Sequence, residues 1–343
     1  VQRLADLDLD ALVRTEGMEV AFSSLTDSGW TLTGGAGQRL LEKLRKTGMP
    51  LGEYVGGKIY YGIKTGLNEA FVIDAATRER LIAENPKSAE IVKPFLLGRD
   101  VKRYRSPGSG RYLILFPKGW TAKTSGSTDE ESAWKRLETD YPAIAGHLRP
   151  FADRGRKRCD RGEFWWELRE CAYYEEFEKP KILWPEIAGS ARFAFDETGF
   201  YANNKAYLIP TGDLYLLGLL NSSLLRFFIH SVCTDLQGDS FNFSAVFLKR
   251  APIRAIDFAV PEEKARHDRI VALVERMLRL HQEPPEPAPP EENENRLREI
   301  AATDAEIDSL VSDLYGLTAE EIRILEESGS HRSIPLHKHF AAP

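Results

Sequence analysis

Cysteine is scarce in this 343-residue chain: Cys159, Cys171 and Cys233 are the three present, far apart and without a Cys-x-x-Cys pair. That spacing excludes a disulfide framework and a cysteine-based zinc site. Long apolar runs are also missing. The longest, Leu214 to Ile229, is interrupted by Asn221, Ser222 and Ser223 and falls short of the roughly 18 apolar residues that a membrane span requires. The amino-terminal "VQRLADLDLD" has no basic stretch ahead of an apolar core, so it does not read as a secretory signal. A reducing, cytoplasmic setting without membrane attachment is the expectation. Val1 in place of a methionine points to an excerpt of something longer.

Catalytic signatures are missing too. "GIKTG" (Gly62 to Gly66) lacks the earlier glycine of G-x-x-x-x-G-K-[ST] and so fails as a phosphate loop. No Asn or Asp is followed by Pro-Pro and an aromatic residue, the tetrapeptide with which amino-methyltransferases hold an extruded base. "LTGGAG" (Leu32 to Gly37) follows no apolar strand and reads as a linker turn rather than a cofactor loop. The one Glu-x-Lys, Glu262 to Lys264, opens a helical stretch, which argues against a nuclease centre. The histidines show no ligand spacing, and the "HRSIPLHKH" tail reads as flexible chain. No catalytic, metal or cofactor-binding residue is assigned.

What is present is segregated charge. The net charge is −6, yet Lys93 to Arg161 holds 16 basic against 8 acidic residues, and Pro261 to Glu327 holds 8 against 18. "GRDVKRYR" (Gly98 to Arg105) and "RGRKRCDRG" (Arg154 to Gly162) lie near Trp120, Trp165 and Trp166. Interleaved cations and aromatics suit either a solvated face or a nucleic-acid face. Amides at Asn203, Asn204, Gln237 and Asn242 suit base edges or turns.

Six aromatic and branched runs, "KIYYGI", "AFVID", "RYLILF", "KILWPEI", "RFAFD" and "KAYLIP", read as strands bounded by Gly, Pro or Asn. "YYGIKTGLNEAFVID" then reads as a hairpin tip, with Gly66 at positive φ and Lys64, Thr65 and Asn68 projecting together. Helices are expected over Gln38 to Lys46 and after Asp74 as N-cap, with two buried pieces broken near Asn221. Further on, apolar stripes at Ile270, Val274, Met277 and His281, and at Leu297, Ile300, Ile307, Leu310 and Leu314, mark two helices. The proline-rich "EPPEPAPP" between them makes an antiparallel hairpin. Thr318 and Glu321 form a capping box for a short third helix. The organisation is thus a lead-in over 1–47, an α+β (α/β mixed sheet) domain over 48–256, a helical hairpin over 257–327 and a flexible tail over 328–343.

The ordered series "YYGIKTGLNEAFVID", "RLIAENPKSAEIVKPFLLGRDVKRY", "NNKAYLI…LYLLGLLNSSLLRFFI", "FLKRAPI" and "IDSLVSDLYGLTAEEI" resembles the TaqI-like carboxy-terminal specificity region of adenine-specific DNA methyltransferases and combined restriction-modification enzymes. That resemblance implies a target-recognition domain for double-stranded DNA. Adenine-N6 methylation would be carried out by an upstream S-adenosylmethionine-dependent domain or subunit, with no cofactor in this chain. It places Gly62 to Glu69, Gly98 to Arg105 and Gln237 to Phe243 at or behind the DNA cleft. The expected DNA contacts are Lys64, Thr65, Asn68, Arg99, Lys102, Arg103, Arg105, Lys118, Arg154, Arg156, Lys157, Arg158, Asn204, Lys205, Gln237 and Asn242. The competing expectation is a docking subunit of a restriction-modification complex without base readout of its own.

Overall fold

The computed structural model describes residues 35–105, 107–236, 240–282 and 289–331, preceded only by Asp10 and Arg14. The strands are β1 (Met49–Pro50), β2 (Tyr60–Tyr61), β3 (Val72–Asp74), β4 (Val92–Leu96), β5 (Arg111–Ile114), β6 (Lys181–Pro185), β7 (Ile187–Ala188), β8 (Ala194–Asp196), β9 (Tyr201–Ala202), β10 (Ala206–Ile209), β11 (Thr234–Leu236), β12 (Ser240–Asn242) and β13 (Pro252–Ile253). The helices longer than one turn are α1 (Gly35–Thr47), α2 (Ala75–Glu84), α3 (Trp120–Ser125), α4 (Glu130–Asp140), α5 (Pro142–Leu148), α6 (Ala152–Lys157), α7 (Leu214–Asn221), α8 (Ser223–Val232), α9 (Pro261–Leu280), α10 (Pro290–Leu314) and α11 (Ala319–His331). Each of the six expected strand runs contains a strand.

The antiparallel sheet β2-β10-β6-β8 is the divider of the molecule. Successive strand side chains point to opposite faces, and here each face has its own core. Leu183, Ala194, Ala206 and Leu208 enter a core with the second sheet, β3-β5-β4-β9, and with Trp165 and Trp166. Their alternates Ile182, Trp184, Phe193 and Ile209 enter the other, with Leu40, Leu41 and Leu44 of α1 and with α7 to α10. That second core takes side chains from both sides of residue 256.

Local rules account for the helices. Asp74 caps α2 by accepting from the Thr77 N–H at 2.8 Å. Ser222, which accepts from the Leu225 N–H at 3.2 Å, separates α7 from α8; the two are bent by 66°, and among the described residues no single helix is long and apolar enough to cross a membrane. Thr318 and Glu321 cap α11 reciprocally, at 2.8 and 3.3 Å. Ile270, Val274 and Met277 are buried on α9. Leu297 is a correction: it is 62% exposed, and the expected stripe meets the core only from Ile300 onward. Exposed pairs Arg269–Glu306 and Arg276–Glu299 link α9 to α10. Residues 283–288, most of the expected proline-rich loop, and 332–343 lie outside the described residues.

The dividing sheet is pinned by one ion pair. Lys181 on β6 faces Asp196 on β8, its register partner, at 2.5 Å with both side chains fully buried. Burial pushes the Lys181 ammonium below its ordinary pKa, and Asp196 counters this. Asp196 also accepts from the N–H groups of Thr198 and Phe200, each at 2.9 Å. Replacing Lys181 with Met leaves a buried carboxylate without its cation, and we expect a loss of about 3–5 kcal/mol. Urea unfolding measures it, and a wild-type midpoint would contradict the role given to the pair.

Candidate nucleic-acid interface

"GIKTG" leaves β2 at Gly62 and does not turn back. The expected hairpin is wrong: β2 and β3 belong to different sheets, and Asn68–Phe71 is a helical turn. Gly66 does take a positive φ of 69°. The chain is diverted because Ile63 bridges to Asn203 in parallel, donating to the Ala202 carbonyl at 2.7 Å and accepting from the Asn204 N–H at 3.0 Å. Glycine is required at 62, since a Cβ there would sit 2.0 Å from the Asn203 carbonyl oxygen.

The same turn grips a second loop. A Cβ on Gly98 would lie 2.1 Å from the Lys205 carbonyl oxygen, and the Gly98 N–H donates to Asn203 Oδ1 at 3.0 Å. The Glu186 N–H donates to the Lys205 carbonyl at 2.9 Å, and the Phe243 N–H to the Glu186 carbonyl at 2.7 Å. One hydrogen-bonded edge therefore joins the 62–66 loop, the 98–100 turn, the 203–205 turn and Asn242, segments remote in sequence.

A third loop joins through Arg158, which is 8% exposed. Its Nη1 donates to the carbonyls of Thr65 and Asp160 and its Nη2 to those of Trp165 and Glu167. Its guanidinium lies 4.3 Å from the centre of the Phe71 ring. Burial pushes its pKa down to about 10, partly offset by the Asp160 carboxylate. Arg158 thus turns both terminal nitrogens to four backbone oxygens, while its buried Nε has no hydrogen-bond partner.

The expected contacts sort into two groups. Lys64, Arg99, Lys102, Arg105, Arg154, Arg156, Lys157 and Lys205 are exposed. Several meet carboxylates: Lys64 with Asp160 at 2.9 Å, Arg154 with Glu69 at 3.1 Å, Arg156 with Glu130 at 2.8 Å and Lys205 with Glu186 at 2.7 Å. Such exposed pairs contribute little, about 0–1 kcal/mol, so the carboxylates hold these cations only weakly. The Lys64 hydrogen bond, against some burial, holds the Asp160 carboxyl below its ordinary pKa.

Others serve the interior or lie elsewhere. Thr65 is buried and donates to Asn68 Oδ1 at 2.5 Å. Arg103 donates to Asp304 of α10 at 2.6 and 2.8 Å and to the Asn221 carbonyl at 2.6 Å. Asn242 Oδ1 accepts from the Ser244 N–H at 3.1 Å. Lys118, exposed, pairs with Glu170 at 2.9 Å, next to Gly119, whose N–H donates to Glu167 Oε2 at 3.1 Å. Gln237 lies outside the described residues.

Sequence reasoning missed Tyr61, Asp160 and Arg169. Arg169 meets Asp160 at 3.4 Å and donates to the Tyr61 hydroxyl at 3.3 Å. The available signal was "ELREC" beside the basic run, one cation in a carboxylate-rich stretch.

Comparison with known proteins gives this edge a context. Residues 93–253 match the TaqI-like C-terminal specificity domain. The type II methyltransferase M.BstVI of Geobacillus stearothermophilus is 22% identical over 274 residues, covering 79% of this chain and 41% of that protein. The type II methyltransferase M.PaeR7I of Pseudomonas aeruginosa is 24% identical over 253 residues, covering 72% and 40%. The chain spans about two fifths of the length of these relatives. Among solved structures, the type IIL restriction-modification enzyme MmeI in complex with DNA aligns with a TM-score of 0.56 at 15% identity, over 83% of this chain and 36% of that one. That likeness is one of fold.

Arg158 and its neighbour Lys157 separate bracing from surface charge. Arg158→Met strands four carbonyls, and we expect a loss of about 3–5 kcal/mol in chemical unfolding. Lys157→Met should stay within about 0.5 kcal/mol of wild type. Equal effects would refute the brace.

Proposed function

Taking residues 93–253 as a TaqI-like C-terminal specificity domain, we propose that the chain recognises double-stranded DNA within a type II restriction-modification methyltransferase. The observation that carries this is the hydrogen-bonded edge. Its joined segments carry the exposed cations Lys64, Arg99 and Lys205, and Arg154 pairs with Glu69 just past the 62–66 loop, which supports a DNA-facing role for them. Phosphate contacts by the cations supply affinity, and loop amides read base edges. The methylated base is adenine at N6, and the chemistry belongs to an S-adenosylmethionine-dependent domain outside this chain. The chain itself holds no cofactor and works in the cytoplasm. α9 and α10 act as an antiparallel hairpin that sets the spacing between the recognition domain and its catalytic neighbour. The Arg103–Asp304 pair, one end on the 98–105 segment and the other on α10, supports that role.

The second reading is a docking subunit without base readout. It is favoured by the exposed acidic residues of α10, among them Glu291, Glu292 and Glu294. Charge reversal at Lys102 and Arg105, both exposed, distinguishes the two: loss of DNA retention with partner binding intact supports recognition.

The direct test is duplex binding across a salt series. Log K should fall linearly with log salt, and Lys64→Gln, Arg99→Gln and Lys205→Gln should each reduce the slope by about 1. Lys118→Gln should leave it unchanged. A flat response in the wild-type chain would sink the proposal.

A further inference from the structure

Register in the dividing sheet sets three aromatic residues in a row across three strands: Trp184 on β6 opposite Tyr207 on β10, and Tyr207 opposite Tyr61 on β2. Because partnered residues share a face, the row lies on the face that carries Ile182 and Ile209 into the core. Cover over that face thins along the row. Trp184 is 1% exposed, stacks on Tyr207 at 5.4 Å and 15°, and donates from Nε1 to the Phe243 carbonyl at 2.8 Å. Tyr207 is half-buried, and Tyr61, on the edge strand, is 43% exposed.

Tyr61 is held in place yet left uncovered. The Tyr173 hydroxyl donates to the Tyr61 carbonyl at 3.1 Å, and Arg169 donates to its hydroxyl. Tyr173 meets the Tyr61 ring at 6.1 Å and 75°, and among the described residues no ring stacks on it. Tyr60, next in the chain, points to the opposite face and is stacked by Tyr173 at 4.4 Å. Cations flank the row: Lys205 lies two residues before Tyr207, while Arg169, which donates to the Tyr61 hydroxyl, shares Asp160 with Lys64.

We propose that Tyr61, with Tyr207 behind it and Arg169 and Lys64 beside it, is a stacking site for a DNA base that has left the double helix. An open sheet face with an exposed aromatic ring and flanking cations stacks bases while tracking their phosphates, with little regard to sequence. Bases inside a duplex have both faces covered, so an uncovered ring gains nothing from them; a bulged or extruded nucleotide offers a free face. The inference rests on the DNA-recognition reading above and adds a class of ligand to the same edge.

The test uses the full chain and two labelled duplexes of one sequence, one fully paired and one with a central unpaired loop carrying 2-aminopurine. Wild-type protein should bind the looped duplex more tightly and quench the 2-aminopurine. Tyr61→Ala should weaken binding to the looped duplex roughly tenfold, with less than about a threefold change on the paired one. Tyr61→Phe should behave as wild type, because the ring and not the hydroxyl stacks. Tyr61→Leu, which keeps apolar bulk without a planar ring, should follow Ala, and it replaces Ala should that variant fail to fold. Equal loss on both duplexes, or no loss on the looped one, overturns the stacking site while duplex recognition stands. Failure of the wild-type chain to bind either duplex overturns both.

Discussion

The hydrogen-bonded edge depends on a buried cation whose hydrogen bonds all go to carbonyl oxygens. Arg158 sits inside a shell of four carbonyl oxygens drawn from three turns, with the Phe71 ring beside its guanidinium. Only a planar group with donors fixed in a fork fills such a shell, because each oxygen is a separate acceptor at a fixed angle. The 62–66 loop, the 160 turn and the Trp165–Glu167 turn therefore hold one geometry. The cations on those loops, Lys64 and Arg169 above all, are thereby held on a fixed frame.

The dividing sheet supplies the other constraint. Its alternating side chains commit each strand to both cores, so a register slip of one residue would exchange Leu183 with Trp184 and disrupt two packings together. The buried Lys181–Asp196 pair specifies the register further. Loops that leave this sheet, at Gly62, at Asn203 and after Pro185, emerge on one side. The edge is a by-product of topology as much as of any loop's own sequence.

Much of this was legible in the chain. The six strand runs, the Asp74 cap, the break near Asn221 and the Thr318–Glu321 capping box follow local rules and stand in the structure where those rules put them. The misses have physical causes. Gly66 does turn the chain, but the partner that decides where "GIKTG" goes is Asn203, remote in sequence, and no local signal announces a bridge of that range. Arg103 and Arg158 look like their exposed neighbours in the sequence. Their burial is decided by Asp304 and by carbonyls elsewhere, so basic runs read as faces hid two internal ties. β4 was obscured by Pro94, and β9, β11 and β12 are too short for a periodic pattern.

The Arg103–Asp304 pair bears on how such a module can be altered. Arg99, Lys102 and Arg105 point outward from a segment whose one inward arginine ends on α10. A graft that transplanted residues 98–105 alone from a relative would bring new surface chemistry but also a new inward side chain, facing an acid it did not evolve against. The segment and its acceptor on α10, two stretches of chain about two hundred positions apart, therefore have to be exchanged together.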